Sequence, residues 1–121
     1  MLPAPNRLRR RGDFTSAVRG AGSARAGNRL LVVHCRAADS RTGLPPRVGF
    51  VVSKALGGAV VRNRVKRRLR AIMYAALDRI PTGMDVVVRA TPNAAEASFA
   101  DLRCSLIPLL DKGIVRAGDQ R

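Results

Sequence analysis

The sequence predicts one small mixed domain of the α/β (α+β) class, in which helices pack against a small mixed β-sheet. Three observations support this fold class. The chain has 121 residues, enough for one domain with one modest core. Hydrophobic residues make up 46% of it, too many for a disordered segment. Helix-like and strand-like patterns follow one another in the order α-β-β-α-β-α, with a β-α-β crossover. We expect residues 1–121 to form a single domain.

The first part of the chain combines a basic segment with a short helix. Residues 1–11 contain two prolines and four arginines, which favour an extended, mobile arm. This arm is either a solvated tail or a segment that contacts phosphates. Next, the pattern around Asp13, Phe14 and Val18 predicts a short helix, with Phe14 and Val18 on one face. Residues 20–27 include three glycines and are expected to form a loop.

Two strands are predicted to follow the loop. Residues 29–36 alternate in character, so that one face of this strand is fully apolar. Residues 47–53 place Val48, Phe50 and Val52 on one face and smaller groups on the other. A strand face with few bulky side chains either packs closely on a neighbour or leaves room for a ligand.

A third strand and a last helix complete the predicted fold. Residues 84–90 are rich in valine and follow a Pro-Thr-Gly turn, which is typical of a strand. Residues 94–112 repeat leucine at helical spacing, although Pro108 should kink or shorten that helix. Residues 113–121 are expected to be a frayed C-terminal tail.

Residues 54–70 carry the strongest indication of function, because they contain seven Lys or Arg residues and no acid. A helix over residues 59–77 is predicted after the Gly57-Gly58 pair. Its apolar sector, expected to face the core, contains Val61, Val65, Leu69, Ile72, Met73 and Ala76. Its outer stripe contains Asn63, Lys66, Arg67 and Arg70, flanked by Arg64 and Arg68. Surface helices usually intersperse acids with bases, so this one predicts a polyanionic partner.

The charge of the whole chain indicates the same class of partner. The formal net charge is +15, and self-repulsion on this scale is tolerable when a polyanion neutralises it. Guanidinium groups also match phosphate oxygens well. Nucleic acid is favoured over a membrane, because no run of 18 or more apolar residues is present. No apolar segment follows the basic start, so we expect no signal peptide and a cytoplasmic protein.

The sequence offers no residue set for protein-based catalysis or for a metal site. His34 is the single histidine, and Cys35 and Cys104 are too few to complete a zinc site, which needs about four ligands. The cysteines are expected to pack as small hydrophobes in a reducing compartment. The eight acids are scattered, unlike the clustered carboxylates of two-metal sites. We predict no catalytic residue, no metal ligand and no small-molecule substrate.

Two surfaces are candidates for contact with nucleic acid. Asn63 lies within the cationic stripe, where its amide could read a base edge, ligate through its carbonyl or hold the water shell of an RNA-bound metal ion. The strand face with Val32, His34, Val51 and Ser53 could accommodate an extended single strand. Since aromatic residues make up only 3% of the chain, we expect recognition of RNA shape and backbone over sequence.

The residues around the basic helix resemble a known family. The pattern Lys54-x-x-Gly57-x-Ala59-Val60-x-Arg62-Asn63-x-x-Lys66-Arg67-x-x-Arg70 is similar to the signature of the bacterial ribonuclease P protein subunit, with Arg62-Asn63-Arg64 as its RNR motif. The resemblance extends to Asn6-Arg7-Leu8, Asp13-Phe14 and Arg47-Val48-Gly49, and so covers nearly the whole chain. In two places the chain departs from the family: Val18 and His34 stand where relatives often carry aromatics, and the third strand ends in Arg89-Ala90 where Ala-Arg is commoner.

The resemblance implies a function that the residue patterns alone do not. Members of this family bind a catalytic RNA, which removes the 5′ leader from precursor tRNA with Mg2+ ions, while the protein is not itself catalytic. The residues implied to bind the RNA subunit are Lys54, Arg62, Asn63, Arg64, Lys66, Arg67 and Arg70. Those implied to line a cleft for the leader, between the first helix and the sheet, are Phe14, Val18, Val32, His34, Val51 and Ser53. The family fold also implies a left-handed β-α-β crossover, against the usual preference.

Two alternatives from other functional classes are compatible with the composition. A structural RNA-binding protein, such as a ribosomal protein, would share the charge and size but would not need a leader cleft. A DNA-binding regulator would place the basic helix in a major groove, yet the sequence shows neither a dimerising element nor a clear helix-turn-helix pair.

Overall fold

A computed structural model describes residues 2–119 of the chain. The described part contains three α-helices and four strands. In chain order they are α1 (Arg11–Arg19), β1 (Ala24–Gly27), β2 (Leu31–Ala37), β3 (Arg47–Val51), α2 (Ala59–Ala76), β4 (Met84–Ala90) and α3 (Phe99–Asp119). The predicted fold class, a small α+β domain with a mixed sheet packed by helices, is confirmed. The order gains one strand over the predicted α-β-β-α-β-α.

The four strands form one sheet in the order β1-β2-β4-β3. β2 pairs antiparallel with β1 and with β4, whereas β3 and β4 are parallel, so that α2 is the connection of a β-α-β unit. The left-handedness of this crossover stays a prediction. The extra strand β1 corrects the loop predicted over residues 20–27. Its four residues of alanine, arginine and glycine have low strand propensity, and pairing with β2 supplies the order.

The main core lies between one face of the sheet and helices α2 and α3. Val33 and Cys35 of β2 and Val86 and Val88 of β4 are fully buried there. The helices contribute large side chains to this core, among them Leu69, Met73, Leu102, Leu106 and Leu110. The predicted apolar sector of α2 is buried at Val65, Leu69, Ile72, Met73 and Ala76, and half-buried at Val61. Helical periodicity therefore located the core face of α2 correctly.

Helix α3 begins later and ends later than predicted. Its start is set by Ser98 and Asp101: the Ser98 Oγ accepts from the Asp101 N–H at 3.0 Å, and the Ser98 N–H donates to the Asp101 carboxylate at 3.3 Å. Pro108 does not shorten the helix, which continues to Asp119. Burial of apolar residues on both sides of the proline compensates for the hydrogen bond that proline cannot make. The frayed tail predicted over residues 113–121 is therefore wrong up to residue 119, and residues 120–121 lie outside the described part.

The basic start of the chain is packed rather than extended into solvent. Leu2 and Leu8 are buried, and the segment lies beside the outer edge of β3, where Arg7 forms a parallel β-bridge with Val48. The Leu8 N–H donates to the Val48 carbonyl at 3.0 Å. Apolar burial and edge pairing therefore replace the mobile arm predicted over residues 1–11, apart from its first residue, which lies outside the described part.

The two cysteines differ from each other in environment. Cys35 is buried in the core as predicted, and its burial raises the pKa of the thiol to about 12. Cys104 is exposed on α3, so the expectation that both cysteines are packed is wrong for this residue. Gly113 of α3 approaches Cys35 closely, since a Cβ at this glycine would lie 2.8 Å from the Cys35 Sγ. This contact shows how tightly α3 packs on β2.

Candidate nucleic-acid interface

The outer stripe of α2 presents positive charge that is not neutralised within the protein. Asn63, Arg67 and Arg70 are exposed and Lys66 is half-buried. The three ion pairs found among residues 2–119 involve none of these side chains. The stripe follows a tight turn at Gly57, whose positive φ of 138° favours glycine. The arrangement suits a polyanion that runs along the helix.

Two flanking arginines of α2 make hydrogen bonds to the segment that precedes α3. An Nη of Arg64 donates to the Ala95 carbonyl at 3.0 Å, and an Nη of Arg68 donates to the Ala97 carbonyl at 2.8 Å. Both side chains are half-buried. Arg64 therefore differs from the other members of the predicted RNA-subunit set, because part of its guanidinium holds α2 in place.

Arg64→Ala is expected to act on stability more than on RNA affinity. Losing a partly buried, charged hydrogen bond should lower the free energy of unfolding by about 1 kcal/mol. The slope of log affinity for RNA against log salt should stay close to the wild-type value, because few phosphate contacts are lost. Urea unfolding and RNA binding at several salt concentrations measure the two quantities. An unchanged stability with a slope reduced by about one would show that Arg64 acts mainly on RNA.

The remaining predicted residues of this set lie around the start of α2. Lys54 is exposed, in a short 3-10 turn that ends before Gly57. Arg62 is half-buried in the first turn of the helix, and its Nε has no hydrogen-bond partner within the described part. The structure thus brings all the predicted cations of this set onto α2 and the turn that precedes it.

A basic pocket joins the stripe of α2 to the N-terminal segment. The cavity, of about 300 Å³, has cationic side chains from both elements on its walls and no acid. These cations are Arg7, Arg9, Lys66 and Arg70. Sequence reasoning left the N-terminal arginines undecided between a solvated tail and a phosphate-binding arm. The signal that could have located them is the pair Leu2 and Leu8, which anchor the segment on the sheet.

On the face of the sheet opposite α2 and α3, α1 packs against the strands. Phe14 and Val18 are half-buried and pack with Leu8, Ala17 and Val87. The ring of Phe14 lies directly over Gly49, where an added Cβ would collide with it. Since only glycine allows this approach, the small strand face that the sequence indicated at this position serves close packing of α1.

The N-terminal end of α1 is held to the sheet by charge. Arg47 donates to both carboxylate oxygens of the buried Asp85 at 2.8 Å and to the Asp13 carboxylate of α1 at 3.0 Å. The pKa of Arg47 is raised, mainly because its side chain is hydrogen-bonded to Asp85. We refer to Asp13, Arg47 and Asp85 as the α1 clamp.

The structure separates the six predicted cleft residues by depth. Phe14, Val18 and Val32 are half-buried, and Val51 is 38% exposed. His34 shares their face of the sheet but is only 4% exposed, and its Nε2 has no hydrogen-bond partner in the described structure. Burial, followed by the charges of Arg89 and Arg25, lowers the pKa of His34, so that it is neutral at pH 7.

Ser53 lies two residues past the end of β3, at the start of the short turn that leads to α2. Its hydroxyl accepts from the Ala55 N–H at 3.3 Å and caps the short turn before α2. The cleft face also contains Arg89 of β4, which is exposed. The prediction did not assign Arg89 to the cleft, because the direction of a side chain at a strand end depends on the pairing register.

Two further findings concern membrane spans and metal sites. Within residues 2–119, no helix is both long and apolar enough to cross a membrane. The same part of the chain holds no cluster of three or more His, Cys, Asp or Glu side chains placed to bind a metal ion.

A family model and individual relatives of this chain carry the same description. The family model described as Ribonuclease P matches residues 2–113. The ribonuclease P protein component of Streptomyces griseus is 52% identical over 118 residues, which cover 93% of this chain and 94% of that protein. The corresponding protein of Beutenbergia cavernae is 57% identical over 103 residues, covering 84% of this chain and 82% of that protein.

Solved structures of RNase P proteins share the fold of this chain. The RNase P protein of Staphylococcus aureus aligns with a TM-score of 0.77 at 27% identity, covering 90% of this chain and 97% of that chain. The RNase P protein of Thermotoga maritima aligns with a TM-score of 0.74 at 30% identity, covering 88% of this chain and 96% of that chain.

Proposed function

This chain belongs to the ribonuclease P protein family, and we propose that it is the protein subunit of a ribonuclease P ribonucleoprotein. In this role it binds a catalytic RNA and the 5′ leader of precursor tRNA, and the RNA removes the leader using Mg2+. The observation that carries the proposal is the combination of family membership with a basic outer face on α2, which meets Phe14 of α1 in one basic pocket. The site of action is the cytoplasm, where tRNA precursors are processed.

The basic helix is suited to the RNA subunit. The side chains proposed to contact it are Lys54, Arg62, Asn63, Lys66, Arg67 and Arg70, with Arg64 contributing mainly by holding α2. Most are arginines, whose planar forks bind phosphate oxygens bidentately. Because structured RNA is contacted mostly through its backbone and shape, a stripe of cations around one amide is an appropriate surface. The basic pocket, with Arg7 and Arg9, extends this surface toward the N-terminal segment.

The cleft beside α1 is suited to the single-stranded leader. Its apolar walls, at Phe14, Val18, Val32 and Val51, offer contact to bases and riboses without hydrogen bonds that would read a sequence. His34 is buried and neutral, so it supports the floor of the cleft in the free protein rather than stacking on a base. A ribosomal-type or DNA-binding protein would have no need of such a cleft.

Reconstitution with a bacterial ribonuclease P RNA tests the proposal. At low Mg2+, adding the protein should increase 5′ maturation of precursor tRNA. At high Mg2+ the increase should be smaller, because the ions themselves relieve repulsion between phosphates. Failure of the protein to increase maturation at low Mg2+ would contradict the proposed function.

Phe14→Ala should weaken the cleft selectively. Removing the ring leaves a gap over Gly49 and takes away an apolar contact for the leader, so affinity for precursor tRNA should fall about tenfold. Affinity of the same holoenzyme for mature tRNA, which has no leader, should stay unchanged. Equal losses for the two tRNAs would refute the assignment of the cleft.

A further inference from the structure

The face of the sheet that carries the cleft is arranged in three rows of side chains that run across the strands. The first row consists of Arg47, Asp85 and Arg36, and the second of Gly49, Val87, His34 and Arg25. The third consists of Val51, Arg89, Val32 and Gly27, which are neighbours in register: Val51 pairs with Arg89, Arg89 with Val32, and Val32 with Gly27. Arg89 therefore lies between Val51 and Val32 in the third row.

Helix α1 and the turn after it cover the first row and the second row up to His34, whereas Arg25 at the end of the second row is exposed. Over the first row, Asp13 binds Arg47 at 3.0 Å, and the Arg36 Nε donates to the Ala21 carbonyl at 2.9 Å. Over the second row, Phe14 lies on Gly49, and Ala17 is buried with Val87.

The third row is left open to solvent. Arg89 is exposed, Val51 is 38% exposed, and Val32 is half-buried. A single-stranded chain that follows α1 along the sheet would pass over this row. It would meet two valine side chains with a guanidinium between them.

The charge of Arg89 is not neutralised within the described structure. None of the three ion pairs there includes it. Asp85 on this face and Asp13 of α1 are both engaged by Arg47. The guanidinium is near enough to His34 to contribute to its lowered pKa. This face of the sheet thus carries an exposed positive charge that belongs to no ion pair among residues 2–119.

We propose that Arg89 is a leader-binding residue, whose guanidinium holds one phosphate of the single-stranded leader while Val51 and Val32 contact the flanking riboses or bases. The proposal rests on the proposed function, since it names a contact within the same cleft. A phosphate is the appropriate ligand, because the guanidinium fork matches two phosphate oxygens and the valines offer no hydrogen bond that would orient a base edge. The contact would strengthen leader binding without selecting a leader sequence.

The test combines a protein variant with a chemically altered leader. Arg89→Gln removes the charge while keeping a polar side chain at an exposed position. The affinity of the reconstituted holoenzyme is measured for mature tRNA and for precursors in which single leader phosphates are replaced by neutral methylphosphonates. The loss of one charged hydrogen-bonding contact should lower affinity for the unmodified precursor about tenfold and leave mature tRNA unaffected.

One leader position should reveal the contacted phosphate. Neutralising that phosphate should weaken binding by the wild-type protein about as much as Arg89→Gln does, and should cause little further loss in the variant. Additive losses at every leader position would overturn the proposal, and so would equal losses for mature and precursor tRNA.

Arg103→Gln is the matched control. Arg103 is exposed on α3, on the other side of the sheet, and its substitution removes the same charge. It should leave the affinities for both tRNAs near the wild-type values, and a loss equal to that of Arg89→Gln would assign the effect to net charge and contradict the proposal. A wild-type holoenzyme that binds precursor and mature tRNA equally well would instead reject the proposed function itself.

Discussion

Arg67→Ala combined with Arg70→Ala should lower the affinity for ribonuclease P RNA about a hundredfold at physiological salt. Both side chains are exposed on the outer stripe of α2, and neither belongs to an ion pair of the described structure. A phosphate contact by each is worth about 1.4 kcal/mol, and two such contacts give the hundredfold change. The slope of log affinity against log salt should become shallower by about two. Filter binding at several salt concentrations measures both quantities.

A second double variant controls for the change in net charge. Arg103 and Lys112 are exposed on α3, and replacing both by alanine removes two charges away from the α2 stripe. This control should bind the RNA with nearly wild-type affinity and slope. If both double variants lose the same affinity, the RNA responds to the overall charge of +15 and not to a surface on α2. Thermal unfolding should be unchanged for the α2 variant, because alanine is a strong helix former.

Asp85→Ala should lower the free energy of unfolding by about 3 kcal/mol. Asp85 is 3% exposed and accepts two hydrogen bonds from Arg47, whose side chain is itself only 18% exposed. Removing the carboxylate leaves a guanidinium that is largely shielded from water without its main partner. Urea unfolding at pH 7 measures the change.

Asp13→Ala provides the comparison within the α1 clamp. The Asp13 side chain is 31% exposed and makes one contact of 3.0 Å with Arg47. Solvent screening weakens such a pair, so this variant should cost about 1 kcal/mol or less. An Asp85→Ala variant no less stable than Asp13→Ala would show that burial of the carboxylate does not dominate the energetics of the clamp.

The features that were predictable from the sequence depend on residues close together along the chain. The 3.6-residue period assigned Val65, Leu69 and Met73 of α2 to the core, and it placed Asn63 and Arg67 outside. Alternation in β2 separated the buried Val33 from the cleft-facing Val32 in the same way. In both cases the backbone geometry alone determines which side chains share a face.

The features that were mispredicted depend on contacts between distant parts of the chain. The Arg7 segment is ordered by pairing with Val48, and β1 by pairing with β2, although neither segment has a strong pattern of its own. Helix α3 continues past Pro108 because its leucines are buried on the sheet. Local propensity cannot report such long-range stabilisation.

The sequence by itself determined the fold class, the family and the basic outer face of α2, because each is encoded in composition, spacing or local periodicity. Only the tertiary structure decided the depth and the partners of individual side chains on these surfaces. It buried His34, directed part of Arg64 to the Ala95 carbonyl and placed Arg89 between Val51 and Val32. The physical reason is that burial and strand register arise from packing across the sheet, so the depth and partners of a side chain depend on residues far away in sequence.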